Sequence, residues 1–176
     1  MEILYEDNHI IAVNKRAGEI VQSDKTGDRT LADDVKDYIK VKYNKPGDVF
    51  LGIVHRIDRP VSGVVLFART SKALARLNEM FKNHTVKMIY WAITQNRPPQ
   101  EAEELHHYMS TNEEKTSTNV SISPRTGYKE AVLSYKLLSS TPNINLLEVE
   151  LQTGRHHQIR AQLSRIGCPI RGDLKY

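Results

Sequence analysis

The sequence predicts an α+β protein, a mixed and largely antiparallel sheet with helices packed on it. Strand-like runs outnumber helical ones, most of them meet through short polar turns, and only three stretches place apolar residues at helical spacing. At 176 residues the chain suits one domain with a real core, and its 39% hydrophobic and 26% charged residues are those of an ordinary globular protein.

Ile3 to Tyr5 and Ile10 to Val13 are apolar runs split by Glu6-Asp7-Asn8-His9, which predicts a tight N-terminal hairpin. Ala17 to Asp28 reads as a loop. Thr30 has the chemistry of an N-cap, with Asp33 and Asp34 in the first turn, where the helix dipole favours negative charge. Leu31, Val35, Tyr38 and Ile39 follow at helical spacing, so Leu31 to Tyr43 reads as an amphipathic helix ended by Lys45-Pro46-Gly47-Asp48. Two apolar runs, Phe50, Leu51, Ile53, Val54 and then Val64 to Phe67, predict buried strands on either side of a charged loop. Ser71 is the expected cap of a second helix, with Leu74, Leu77 and Phe81 on its apolar face, running to Asn83.

Val86 to Thr94 has the β-branched and aromatic content of a buried strand, stopped by Asn96 to Pro99. Glu101 to Thr126 is polar and without helical period. It reads as a flexible arm or hairpin insert, with short strands near Leu105 to Met109 and Val120 to Ile122. Two clearer strands, Ala131 to Leu138 and Ile144 to Leu151, meet at Ser140-Thr141-Pro142-Asn143. A short helix in HHQIRAQLSRIG follows, with Ile159, Leu163 and Ile166 on one face and Gly167 as its C-cap.

Composition narrows the function classes. No apolar run approaches the roughly 20 residues needed to span a membrane, and MEILYEDNHI lacks a basic region followed by an apolar one, so a cytoplasmic protein is expected. Cys168 stands alone, which excludes an internal disulfide and argues against a structural zinc cluster. The net charge of +4 is carried by the tail from Arg155 to Tyr176, where Arg155, Arg160, Arg165, Arg171 and Lys175 face Asp173 alone, five minus one. Such a cluster suits a polyanion, nucleic acid first, although a merely solvated helix face has the same composition.

The stretch with the densest chemistry is HRIDRPVSG, His55 to Gly63. It sets Asp58 between Arg56 and Arg59 on a loop held by two strands. Neighbouring guanidinium groups favour the charged form of a carboxylate, so Asp58 reads as a base or nucleophile, against the plainer reading of weak surface ion pairs in a turn. A second loop, Gln152-Thr153-Gly154-Arg155, leads into the basic helix near His156. Arg160, one turn on, is expected to share a side with His156 and to grip a carboxylate or phosphate. His156 and His157 beside Arg155 make a poor metal site, because adjacent histidines on a helix point to different faces and no acidic ligand is near.

Taken in order, HRIDRPVSGVVLFA, KMIYWAI, TGRHHQIRAQL and the closing GDLKY resemble the successive motifs of the RluA type of RNA pseudouridine synthase. The resemblance runs from ILYEDNHIIAVNKRAG to the last residue. It implies the pseudouridine synthase catalytic fold and an isomerase that detaches uracil from its ribose in ribosomal or transfer RNA and rejoins it through carbon 5. Carried over by position, Asp58 is the catalytic aspartate, Tyr90 the aromatic residue against the base, and Arg160 the partner of the Asp58 carboxylate. Arg56 intrudes into the RNA, and Arg59, Arg155, His157 and Arg165 complete the RNA-contacting set. The resemblance implies no metal, no cofactor, no membrane and no obligate protein partner, with a monomer expected.

The chemistry fits these residue types. Breaking the glycosidic bond develops positive charge at the ribose, which an ionised Asp58 can trap or stabilise. The target base must first leave its stack, at a cost of a few kcal/mol that phosphate contacts can offset. A non-catalytic RNA-binding module on the same basic surface is the alternative. Hydrolytic glycosidase action is weaker, since no second acid accompanies Asp58.

Three features depart from the family pattern. Pro60-Val61 stands where an acidic or polar residue and threonine are usual, no N-terminal RNA-binding domain is evident, and the chain stops at Tyr176, where the pattern usually continues. The expectation is a single catalytic domain over 1–176, possibly short of its C-terminal end.

Overall fold

The computed structural model describes residues 1–24, 26–112 and 117–176, so position 25 of the first loop and positions 113–116 of the expected arm lie outside the described residues. The chain divides into two compact units, Met1–Thr85 and Val86–Tyr176. Each contains one sheet, every described strand pair in both sheets is antiparallel, and the α+β class holds.

The first unit opens with the expected hairpin, β1 (Glu2–Glu6) and β2 (Ile10–Lys15). Asp7 makes the turn by accepting the His9 and Ile10 N–H groups on one carboxylate oxygen, both at 2.7 Å. Helix α1 (Leu31–Lys42) starts at Thr30 in a reciprocal capping box: the Thr30 hydroxyl accepts from Asp33 N and the Asp33 carboxylate accepts from Thr30 N. Next come β3 (Gly52–Ile53), β4 (Gly63–Ala68) and α2 (Ser71–Lys82), and the sheet order is β1-β2-β4-β3. Alternate residues Ile11, Val13, Val65 and Phe67 form the inner face, closed by Leu31, Val35 and Ile39 of α1. Burying a side chain the size of Phe67 stabilises by about 1.5–3 kcal/mol.

Two local expectations change here. The strand before the charged loop is only two residues long. After Gly52↔Ala68 and Ile53↔Phe67 the ladder stops, because the Leu66 N–H donates to the His55 ring instead of to a third strand residue. The cap of α2 is Thr70, whose hydroxyl accepts from Ala73 N, and Ser71 is the first helical residue.

The second unit contains β5 (Met88–Thr94), β6 (Ala102–Asn112), β7 (Ser117–Ser121), β8 (Lys129–Thr141), β9 (Ile144–Leu151) and α3 (Gln158–Arg165), with sheet order β5-β9-β8-β6-β7. The segment read as a flexible arm or hairpin insert supplies the two strands expected in it, β6 and β7, but β6 is longer than the short run near Leu105 to Met109 and is interior, with eight residues paired to β8. Leu105, His107 and Met109 alternate inward there, a period of two that the polar residues between them obscure. Strand β5 is one-sided rather than buried. Ala92 and Thr94 face inward with the half-buried Tyr90, while Ile89, Trp91 and Ile93 lie exposed on the other face.

Leu163 of α3 packs on Leu133, Tyr135, Leu147 and Val149 of the sheet. Two buried glutamines fix the helix further. Gln158 donates to Val132 O at 3.0 Å and accepts from the Thr153 hydroxyl and Arg155 N, while Gln162 donates to Ala131 O at 3.1 Å. The helix ends in paired back-bonds, Gly167 N to Ser164 O and Cys168 N to Leu163 O, with Gly167 at φ 81°.

Candidate active site

The loop bearing Asp58 is organised from β2. In that strand Ile11, Val13 and Lys15 share the inner face, so the side-chain alternation that buries two aliphatic residues also buries a lysine, at 0% exposure. Its Nζ lies 2.6 Å from Val61 O, 3.1 Å from Arg59 O, 3.2 Å from Asp58 O and 3.1 Å from Arg16 O. Burial pushes the Lys15 pKa down, opposed by the negative charges of Glu19 and Asp58. An ammonium has only donors, and here they meet backbone carbonyls on both sides of the turn closed by Val61 N to Asp58 O, 3.0 Å.

His55 fixes the other end of the loop. Its Nε2 accepts the Leu66 N–H at 3.0 Å, which places the ring proton on Nδ1, and the ring stacks on Phe81 of α2 at 5.3 Å. Burial lowers its pKa, which favours the neutral ring this bond requires. Between these anchors Asp58 is half-buried and Arg56 exposed. Arg59 works within the unit: its Nε donates to Gly18 O, and its Nη1 pairs with Asp28 at 2.8 Å in an exposed contact of small energetic weight.

Tyr90, Arg155, His157, Arg160 and Arg165 belong to the second unit. Tyr90 on β5 and Ile159, the neighbour of Arg160, pack against the same apolar cluster. Arg160 makes a two-pronged pair with Asp173, Nε to Oδ2 at 2.6 Å and Nη2 to Oδ1 at 2.9 Å. The Arg160 hydrogen bonds hold the Asp173 carboxyl down at about 2, and burial opposes the shift. Arg155 donates its Nε to Glu130 O, and Arg165 is exposed at the end of α3.

The histidine pair differs from expectation. The helix begins only at Gln158, and His157 takes the left-handed conformation at φ 54°, so the two rings stack at 3.7 Å instead of pointing apart. His156 consequently lies ahead of the helix and does not share a helical side with Arg160. His157 Nδ1 is 2.9 Å from the Tyr176 hydroxyl.

Lys15, His55, Asp173 and Tyr176 were not singled out by sequence reasoning. Two of them leave a signal: a charged residue continuing the Ile11, Val13 alternation, and the lone acid in a basic tail.

A profile of the RNA pseudouridylate synthase family matches residues 9–165, through both units and through Asp58, Tyr90 and Arg160. The chain belongs to this family. Among curated relatives of the chain, the ribosomal large subunit pseudouridine synthase D of Zymomonas mobilis is 34% identical over 182 residues, covering 100% of the chain and 56% of the relative. The ribosomal large subunit pseudouridine synthase C of Rickettsia bellii is 36% identical over 179 residues, covering 99% of the chain and 56% of the relative. These names place the chain with the RluA type of synthase, and it spans just over half the length of those relatives. Among solved structures, human RNA pseudouridylate synthase domain containing 4 matches with a TM-score of 0.85 at 27% identity, covering 99% of this chain and 68% of that one. The synthase fold is thus common to the chain and to this structure. No helix among the described residues is long and apolar enough to cross a membrane.

Proposed function

We propose that the protein is an RNA pseudouridine synthase that isomerises uridines in RNA, with ribosomal RNA of the large subunit as the substrate class that its relatives' names suggest. What carries this reading is Asp58: a half-buried carboxylate on a loop whose backbone is gripped by a buried lysine, inside the family match. A loop anchored in this way fixes the backbone from which the Asp58 carboxylate projects.

In the proposed reaction Asp58 acts at the ribose as the bond from C1′ to N1 of uracil breaks, either by adding to C1′ through a bond that breaks again when C5 takes its place, or by stabilising the positive charge while a ribose proton leaves that is returned when C5 bonds to C1′. The detached base turns, C5 bonds to C1′, and the C5 proton departs to solvent while N1 gains one. Tyr90 supplies an aromatic wall with a hydroxyl able to assist proton transfer. Arg160 is assigned the planar cation that keeps the working carboxylate charged and aimed. Arg56, exposed on the Asp58 loop, is assigned the intrusion that helps turn the nucleotide out, with Arg155, His157 and Arg165 on the phosphates and Arg59 supporting the loop. Residues 1–176 are read as the catalytic domain, working without a cofactor and as a monomer.

The test is a map of pseudouridines in cellular RNA, by chemical labelling and primer extension, with and without the gene. The expected result is at least one uridine whose stop disappears with the gene and returns when wild-type protein is supplied. Identical maps would overturn the reading and leave a non-catalytic RNA-binding module.

A further inference from the structure

The last residues of the chain build a holder around one guanidinium. Asp173 sits in a turn closed by its own N–H to Ile170 O at 3.0 Å, and its side chain is only 4% exposed. Oδ1 accepts from Lys175 N at 2.9 Å and Tyr176 N at 3.4 Å as well as from Arg160 Nη2, while Oδ2 is met by Arg160 Nε at 2.6 Å. The turn then lays the Tyr176 ring against Arg160, whose Cζ is 5.1 Å from the ring centroid. The ring is itself fixed, because its hydroxyl accepts the Thr118 N–H of β7 at 2.9 Å and is bonded to His157 Nδ1. Helix α3, strand β7 and the 170–176 turn therefore all bear on the orientation of Arg160.

A buried ion pair is weak evidence for stability in itself, since desolvation consumes most of the Coulombic gain. What this one supplies is direction. The guanidinium is a rigid plane with five donors, so holding Nε and one Nη2 proton sets where Nη1 and the other Nη2 proton point. A second carboxylate can then be met only through that opposite edge.

We propose that Asp173 is a positioning residue of the synthase, holding the Nε edge of Arg160 so that the Nη1 edge is presented already oriented to its anionic partner in the reaction, with the Tyr176 ring as backing. This rests on the synthase reading and on Arg160 having a role in it. An arginine left to choose among rotamers would reach the same geometry in only a fraction of encounters, and misplacement by about 1 Å costs on the order of a hundredfold in rate.

Asp173→Asn separates positioning from stapling. Its amide oxygen still accepts from Lys175 and Tyr176 N–H, which keeps the turn, but its NH2 group meets the Arg160 Nε–H donor to donor. The full chain is assayed by tritium release from RNA labelled at uracil C5 and taken from cells lacking the gene, with enzyme in excess so that slow variants remain measurable. The expected result is a kcat lowered about tenfold to a hundredfold and KM within about threefold, while Tm falls by about 4–8 °C with the lost pair and the protein stays folded at the assay temperature. The same change made in Arg160→Ala adds no further loss, because Asp173 acts through Arg160. Asp173→Glu keeps the charge but displaces it by one methylene, and is expected to lower kcat with Tm maintained.

Turnover of Asp173→Asn within twofold of wild type while Arg160→Ala is inactive would overturn the proposal, as would losses that multiply in the double variant. Wild-type protein that releases no tritium, or Arg160→Ala with wild-type turnover, would instead overturn the synthase reading or the role of Arg160.

Discussion

A lysine ammonium withdrawn from water needs acceptors, and Lys15 finds them in the backbone of the loop that carries Asp58. Removing it takes the shared donor from the part-buried carbonyls of Asp58, Arg59 and Val61, so Lys15→Met is expected to destabilise by about 3 kcal/mol, measured by urea denaturation. A loss under about 1 kcal/mol would mean that the loop is held by other contacts. Asp58, Tyr90 and Arg160 were picked out because their motifs are short and local, and the family match spans all three. Lys15 and Asp173 were harder to read, since each acts on a partner far along the chain, position 58 to 61 for one and position 160 for the other. Linear spacing does not report such contacts.

Among the elements, amphipathic helices and hairpins with strong turn chemistry were the most readable. α1 follows its Thr30 cap and its Leu31, Val35, Ile39 stripe, and β8 and β9 meet at Pro142-Asn143. Helix ends were less so. α1 and α2 finish with Asn44 and His84 in the left-handed region, at φ 46° and 54°, where the sequence rule looks for glycine. The full length of β6 was hidden by polar residues on its outer face, only Leu105 to Met109 reading as strand, and β3 was shortened by a side-chain bond no propensity describes. Gly63 illustrates a backbone requirement at the edge of the site. It opens β4 opposite Lys15 at φ 140°, with nothing within 4 Å of an added Cβ. The cost of Gly63→Ala is therefore conformational rather than steric, about 1–3 kcal/mol in the same urea assay. An unchanged midpoint would show that the loop relaxes to a φ alanine accepts.

For the molecule as a whole, the net charge of +4 equals the five cations of the C-terminal tail less Asp173, and two of those cations are engaged internally, Arg160 by Asp173 and Arg155 by the Glu130 carbonyl. The Asp173 pair has a signature in pH. Its folded pKa of about 2 lies below the ordinary 3.8, so its stabilisation is fully present above about pH 4 and is lost as pH falls towards 2. Wild type is expected to lose up to about 2 kcal/mol more than Asp173→Asn over that window, read from urea midpoints at each pH. Parallel curves for the two proteins would remove the pair from the acid-stability balance.

The most direct measurement of the central claim is tritium release from C5-labelled RNA by Asp58→Asn, made alongside its RNA affinity. The account predicts no release above background while Kd changes by less than tenfold, about 1.4 kcal/mol. Release at the wild-type rate from the Asn variant would contradict it.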